Sequence, residues 1–286
     1  MIVGIDLGTT NSLIAYFDGN EAKVIPNRIG KNLTPSIVSV DDDGVVYVGE
    51  SARERKATHP DQTAEVFKRS MGTAKKYSLG NREFTAEELS SLVLKSLKED
   101  AEVYLGEEIK EAVISVPAYF NDSQRKATKK AGELAGFLVE RIVSEPTAAA
   151  IAYGLNKKNA DTKFLVFDLG GGTFDVSILE KYQNIMEVRA VAGDNFLGGE
   201  DFTEILEQMF YREKEIDQDD LDMKTRAHIH RQAEEAKLAF SDAKETTMKC
   251  KIGDEFMEYT ITLDAFEKSC QMLLSKIKKP IERSIK

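Results

Sequence analysis

A glycine-rich turn between two apolar strands occurs twice in this chain. Ile2-Val-Gly-Ile-Asp-Leu-Gly-Thr-Thr-Asn-Ser-Leu-Ile-Ala15 aligns with Leu165-Val-Phe-Asp-Leu-Gly-Gly-Gly-Thr-Phe-Asp-Val-Ser-Ile178, and the two Asp-Leu-Gly starts, at Asp6 and Asp168, stand 162 residues apart. β-Branched flanks around such a turn predict a β-hairpin at each place. One hairpin repeated at the spacing of a domain predicts a duplicated lobe, a stronger restriction than either turn alone. At 286 residues the chain has room for about two cores.

Between the hairpins strands and helices alternate, so the fold class is α/β. Thr85-Ala-Glu-Glu88 reads as a capping box opening a helix whose Leu89, Leu92, Val93, Leu97 and Ala101 share one face. A strand from Ala112 to Val116 stops at Pro117, Asn121-Asp-Ser-Gln124 starts a helix to about Gly136, and Ile142-Val143 leads into Glu145-Pro146. The small-residue run Thr147 to Ala152 implies close helix packing, and the short polar stretch Lys75 to Phe84 reads as a loop. The last third predicts a long helix from about Lys224 to Ala243, a hairpin turning at Gly253-Asp254, and a helix opened by a second capping box, Asp264-Ala-Phe-Glu267. The expected division is a first lobe over 1–160 with a small inserted subdomain at about 36–90. A second lobe follows over 161–286, with its core hairpin at 161–199 and an inserted α+β subdomain at 200–277. A second lobe matching the first should run to about residue 325, so the carboxyl end is expected to be truncated and the second lobe incomplete.

Lys and Arg number 39 against 49 Asp and Glu, a formal charge of −10, which speaks against nucleic acid or an anionic membrane as partner. No apolar run approaches the roughly 18 residues of a membrane span, and the first residues lack a leader's basic start, so a cytoplasmic protein is expected. Cys250 and Cys270 are isolated and read as ordinary packed or surface thiols of a reducing compartment. His59, His228 and His230 form no catalytic or metal set, since the last two, two apart on a helix, point to different sides.

The chemistry rests in the turns. A triphosphate needs backbone N–H groups pointing into a concavity, glycines that admit close approach, and carboxylates that hold a magnesium ion through its waters. Gly8, Thr9 and Thr10 on one side, and Gly170, Gly171, Gly172 and Thr173 on the other, would cradle opposite faces of the phosphates; Asp6, Asp168 and Asp175 are the metal-side carboxylates. Other phosphate signatures fail: Gly30-Lys31 is followed by Asn32, and no G-x-G-x-x-G follows a strand.

A duplicated Asp-x-Gly-x-Thr cleft marks the broad actin-like ATPases, with ribonuclease H-like lobes, which include sugar kinases, actin relatives and chaperones. Four longer strings narrow the choice: Ile5-Asp-Leu-Gly-Thr-Thr-Asn-Ser12, Val116-Pro-Ala-Tyr-Phe-Asn-Asp-Ser-Gln-Arg125, Glu145-Pro-Thr-Ala-Ala-Ala-Ile-Ala-Tyr-Gly154 and Phe167-Asp-Leu-Gly-Gly-Gly-Thr-Phe-Asp175. Together they closely resemble the DnaK, or seventy-kilodalton heat-shock, chaperone family along the whole chain.

The resemblance implies the ATPase module of such a chaperone, binding ATP or ADP with Mg2+ and admitting K+ as an accompanying ion. It implies that Lys68 is the catalytic lysine at the γ-phosphate, acting with Asp175 and Thr173, and that Glu145 joins the magnesium shell. Asn11 belongs to the first phosphate string. Glu234, Lys237 and Ser241, at i, i+3 and i+7 of the long helix, match the positions that hold ribose and adenine. Pro117 and Arg125 match an inter-domain relay. A J-domain co-chaperone and unfolded polypeptide are the implied partners of the whole protein. Leu238 departs from the pattern, standing where many members place an arginine against the adenine. The short stretch from Lys68 to Phe84 resembles the specialised HscC branch and leaves the exchange factor open. The later Gly-Gly-x-Ser/Thr-Arg-x-Pro motif, the interdomain linker and the peptide-binding domain are not found in the sequence. Two other classes use the same cleft: a small-molecule kinase and a filament protein of the actin type. Neither carries the Val-Pro-Ala-Tyr-Phe or Glu-Pro-Thr-Ala-Ala-Ala strings.

Overall fold

The computed structural model describes residues 1–153, 161–182 and 185–285. The lobe boundary expected at residue 160, Gly154 of the third string, and Lys286 lie outside the described residues.

The chain opens with β1 (Ile2–Leu7), β2 (Asn11–Phe17), β3 (Ala22–Ile25) and the two-residue β4 (Thr34–Pro35). Val3, Ile5 and Leu7 alternate inward along β1, as a half-buried strand requires. β1 and β2 form the first predicted hairpin, in antiparallel register from Val3 opposite Tyr16 to Leu7 opposite Ser12. A small sheet follows from β5 (Val38–Val40), β6 (Val46–Val48) and β7 (Thr63–Ala64), with α1 (Glu50–Lys56) packed on β5 and β6.

The stretch expected as a loop is instead a hairpin of β8 (Lys76–Leu79) and β9 (Arg82–Thr85), turning at Gly80-Asn81 with Gly80 at φ +57°. Its Leu79 is buried, and Tyr77 and Phe84 pack on the core, so two strands of four residues bury enough to persist although most of their residues are polar. Next come α2 (Ala86–Leu105), β10 (Glu111–Val116), α3 (Asp122–Leu134), β11 (Leu138–Ser144) and α4 (Glu145–Ala152). Both predicted N-termini carry complete capping boxes, Thr85 with Glu88 and Asn121 with Gln124. The main sheet runs β11-β10-β1-β2-β3, with β10 and β11 parallel to β1 and β4 on the side of β2. Leu89, Val93, Leu97 and Ala101 on α2 join Val3, Ile5, Ile114 and Val116 in one apolar cluster. α4 sits against β10 and β11, and Ala148, Ala149 and Ala152 line a cleft.

The second predicted hairpin is β12 (Thr162–Leu169) with β13 (Phe174–Tyr182), and β14 (Ile185–Asp194) pairs on the far side of β13. The order β12-β13-β14 repeats β1-β2-β3. Among the described residues β12 pairs on one side only, where β1 pairs on both, and Leu165, Phe167 and Leu169 along it are exposed.

Then follow α5 (Gly199–Glu213), α6 (Met223–Ala239), the hairpin of β15 (Glu245–Ile252) and β16 (Glu255–Thr262), α7 (Leu263–Ser269) and α8 (Gln271–Ile285). α5 was not anticipated. Its stripe is Phe202, Ile205, Leu206, Met209 and Phe210, and it packs on α6. α6 ends at Ala239, four residues earlier than expected, and turn bonds from Ser241 N to Leu238 O and from Ala243 N to Ala239 O carry the chain onward. α7 is capped by Thr262, which accepts from Ala265 N, and not by Asp264; the latter sits in the first turn, where a carboxylate suits the helix dipole. Cys250 and Cys270 are both buried here as free thiols pushed up to about 11 by that burial, which fits packing and not reactivity. α8 returns onto β13 and β14, where Leu273 and Ile277 meet Phe174, Val176 and Leu197. No helix among the described residues is long and apolar enough to cross a membrane.

Candidate functional site

The two repeated turns face each other. A Cβ on Gly171 would stand 1.7 Å from Thr10 Oγ1, and one on Gly172 would stand 2.3 Å from Thr9 Cγ2, so no larger residue allows the turns this approach. The second turn is pinned from behind by the start of α5: Gly199 N donates to Gly170 O at 2.9 Å and Glu200 N to Gly171 O at 2.8 Å. Arg69 ties the turn to the first lobe, donating to Gly172 O at 2.8 Å and to Asp201, which also accepts from Gly198 N at 2.7 Å.

A cavity of about 520 Å³ lies between the lobes. Asp6, Gly8, Thr9, Thr10, Asn11, Lys68, Glu145, Asp168, Gly170, Gly171 and Thr173 line it, so eleven residues singled out from the sequence meet there. Lys68 arrives on a 3-10 turn, Phe67–Ser70, preceded by Val66 in the left-handed region at φ 55°. Its side chain is 4% exposed; its ammonium is 3.1 Å from Glu145 Oε1 and 5.6 Å from the centre of the Phe120 ring. Asp175 stands behind the rim and accepts from Tyr119 N at 3.1 Å. Gly172 faces Thr9 and lies outside the lining.

The carboxylates crowd one another. Burial pushes Glu145 up to about 7, and repulsion from Asp6 and Asp168 adds to it against the pull of Lys68. Asp175 is pushed up to about 6, first by burial, then by Asp168, although the Tyr119 amide pulls the other way. Asp168 is raised by burial and by Asp6. Four carboxylates against one ammonium, beside two turns rich in amide donors, fit a divalent cation with a polyphosphate. Their oxygens do not form a tight direct-ligand set. Among the described residues the trio whose donor atoms all lie within 4.8 Å of one another is Glu65, Glu200 and His230. The wider spacing of Asp6, Glu145, Asp168 and Asp175 suits an ion held through its waters.

The expected nucleoside residues do not come together. Glu234 and Leu238 border a second cavity of about 720 Å³, which shares Thr9, Thr10 and Asn11 with the first. Lys237 instead donates to Gly199 O at 2.9 Å and Thr203 Oγ1 at 2.6 Å. Ser241 lies past the end of α6 and is exposed, so the expected helical face stops at Lys237. Arg125 donates to Phe120 O at 3.1 Å and Ala118 O at 3.2 Å, gripping the segment between the buried Pro117 and the Tyr119 amide on Asp175.

Sequence reading missed Arg69, Ser115 and Tyr119. Ser115 donates to Asp6 Oδ1 at 3.0 Å, and its place opposite Asp6 follows from the β1–β10 register. The Tyr119 contact is made by a backbone amide, which no side-chain pattern signals. Arg69 adjoins Lys68, yet its partners lie more than 100 residues away in sequence.

Comparison with protein-family models finds the Hsp70 protein model matching residues 2–79 and 74–286, two segments that meet in the β8–β9 hairpin. Twin turns on repeated hairpins, a buried lysine among carboxylates and a match along nearly the whole chain agree: this chain belongs to the Hsp70 protein family.

Proposed function

We propose that this chain is the ATP-binding and ATP-hydrolysing module of a DnaK-type chaperone, holding ATP or ADP with Mg2+ between the Gly8–Thr10 and Gly170–Thr173 turns. Membership of the family supports a chaperone ATPase module. The observation that carries the finer reading is the meeting of Lys68 and Glu145, from one lobe, with Asp168 from the other in one cavity.

Asp6, Asp168 and Glu145 would hold the ion through its waters. When bound, Mg2+ neutralises charge on the terminal phosphates. The turn amides orient the phosphate oxygens. Lys68 fixes the γ-phosphate region, and Asp175, with Thr173 beside it, positions the attacking water; no protein nucleophile is required. Leu238 offers the base an apolar edge and Glu234 a ribose acceptor. Nucleotide state would pass outward through Asp175, the Tyr119 amide and the Arg125 grip on the segment after Pro117. The receivers would be a client-binding domain and a J-domain co-chaperone. The short β8–β9 hairpin, where the two matched segments meet, supports an HscC-like branch.

Single-turnover hydrolysis tests the assignment. Lys68→Ala should slow it at least about tenfold while ATP affinity changes little, as for a group acting mainly in the transition state. Hydrolysis at the parental rate would return Lys68 to a structural ion pair with Glu145.

A further inference from the structure

Away from the phosphate turns the lobes meet again through charged side chains. Glu65 follows β7 on the first lobe, while Glu200 and His230 stand on α5 and α6 of the second. His230 Nε2 lies 3.1 Å from Glu200 Oε1 and 3.8 Å from Glu65 Oε1, and one donor atom from each of the three lies within 4.8 Å of the other two. All three are partly buried.

The other ring nitrogen is already taken. His230 Nδ1 is paired with Glu207, also on α5. Nδ1–H donating to that carboxylate holds the ring in place, the arrangement that stands behind metal-bound imidazoles, and an ion entering here would displace the proton that Nε2 shares with Glu200. The cluster also draws a cation of its own, since the Lys56 ammonium rests on Glu65. Three carboxylates against one ammonium leave an excess of negative charge around the imidazole. The group borders the cavity of about 720 Å³, so a further coordination position would open into free space.

We propose that Glu65, Glu200 and His230 form a site for a transition-series divalent cation such as Zn2+, which joins the two lobes. One imidazole nitrogen with carboxylate oxygens is a donor set for zinc and its neighbours, whereas magnesium and calcium take oxygens alone. Three protein ligands and an open position match the arrangement of exchangeable sites. When the ion enters, Glu65 gives up Lys56, the counter-cation of the metal-free chain, and Glu207 remains as the orienting partner. The expectation that His230 takes no metal came from its spacing to His228. The ligands come instead from two other elements, which that spacing cannot show.

The test is titration of chelator-treated protein with Co2+, read by its visible ligand-field absorption and then by Zn2+ competition, in the parent, His230→Ala and Glu65→Gln. The expected result is one equivalent bound by the parent and affinity at least about tenfold lower in both variants. Glu65→Gln keeps the side-chain shape, and circular dichroism on both variants separates a lost site from a lost fold. Three results would overturn the proposal: no saturable binding, equal affinity in the parent and His230→Ala, or thiolate absorption bands placing the ion on Cys250 or Cys270.

Discussion

Glu145 is an acid that its surroundings keep half protonated near neutrality, at about 7 against an ordinary 4.5, chiefly by burial. The folded chain therefore binds that proton more tightly than the unfolded chain. The resulting stability is complete below about 4.5 and lost as pH rises through about 7. Without nucleotide or divalent ion, the melting temperature of the parent should fall relative to Glu145→Gln between pH 5 and pH 8. Saturating Mg2+ with ADP should shrink that fall, because a nearby cation stabilises the ionised form. Thermal scans across the range decide it; parallel curves for the two proteins would remove Glu145 as the source. At this scale the turn residues were legible because their chemistry is local: Asp6, Gly8, Gly170 and Gly171 sit within a few positions of one another in each motif. Lys68 was not legible from its own pattern, since its partner Glu145 is 77 residues away. Lys237 shares a helix with Glu234, yet its ammonium turns to the Gly199 carbonyl, a choice made by packing between α5 and α6.

Among the elements, α2 shows what periodicity can specify. Its capping box and apolar face were both readable, and Leu97 is 2% exposed in the largest cluster. Leu97→Ala should cost about 2–5 kcal/mol, the range for leucine truncation in a core, measured as a shift in the urea midpoint. A cost under about 1 kcal/mol would mean that the neighbours of α2 close the cavity. The β8–β9 hairpin was read as a loop because only Tyr77, Leu79 and Phe84 carry its burial, and their support comes from the distant core. α5 was missed although Phe202, Leu206 and Phe210 recur at every fourth position; the Gly198-Gly199 pair before it reads as a turn, and the turn is also the start of the helix. The cap of α7 slipped by two residues because Thr262 and Asp264 both suit such a position, and hydrogen bonding chose the threonine.

Across the whole molecule, the first lobe's sheet places β1 between β2 and β10, and the second repeats the hairpin with β14 beside it. That repetition was legible from two short strings, because a shared turn at domain spacing leaves few alternatives. How the lobes face each other was not, since it depends on glycine-sized gaps, on Arg69 and on the Tyr119 amide. Among the described residues the apolar clusters do not cross the cleft: the largest draws on residues 3 to 142, and the other two, which share Phe202 and Ile205, on residues 174 to 281. Burial of apolar surface is what makes a body of chain melt all at once, and charged or backbone contacts in water transmit that cooperativity poorly. The lobes should therefore behave as two calorimetric units, giving a broadened or double heat-absorption peak in the free chain. A nucleotide that touches both turns would act as the missing common interior, drawing the two transitions into one sharper peak at higher temperature.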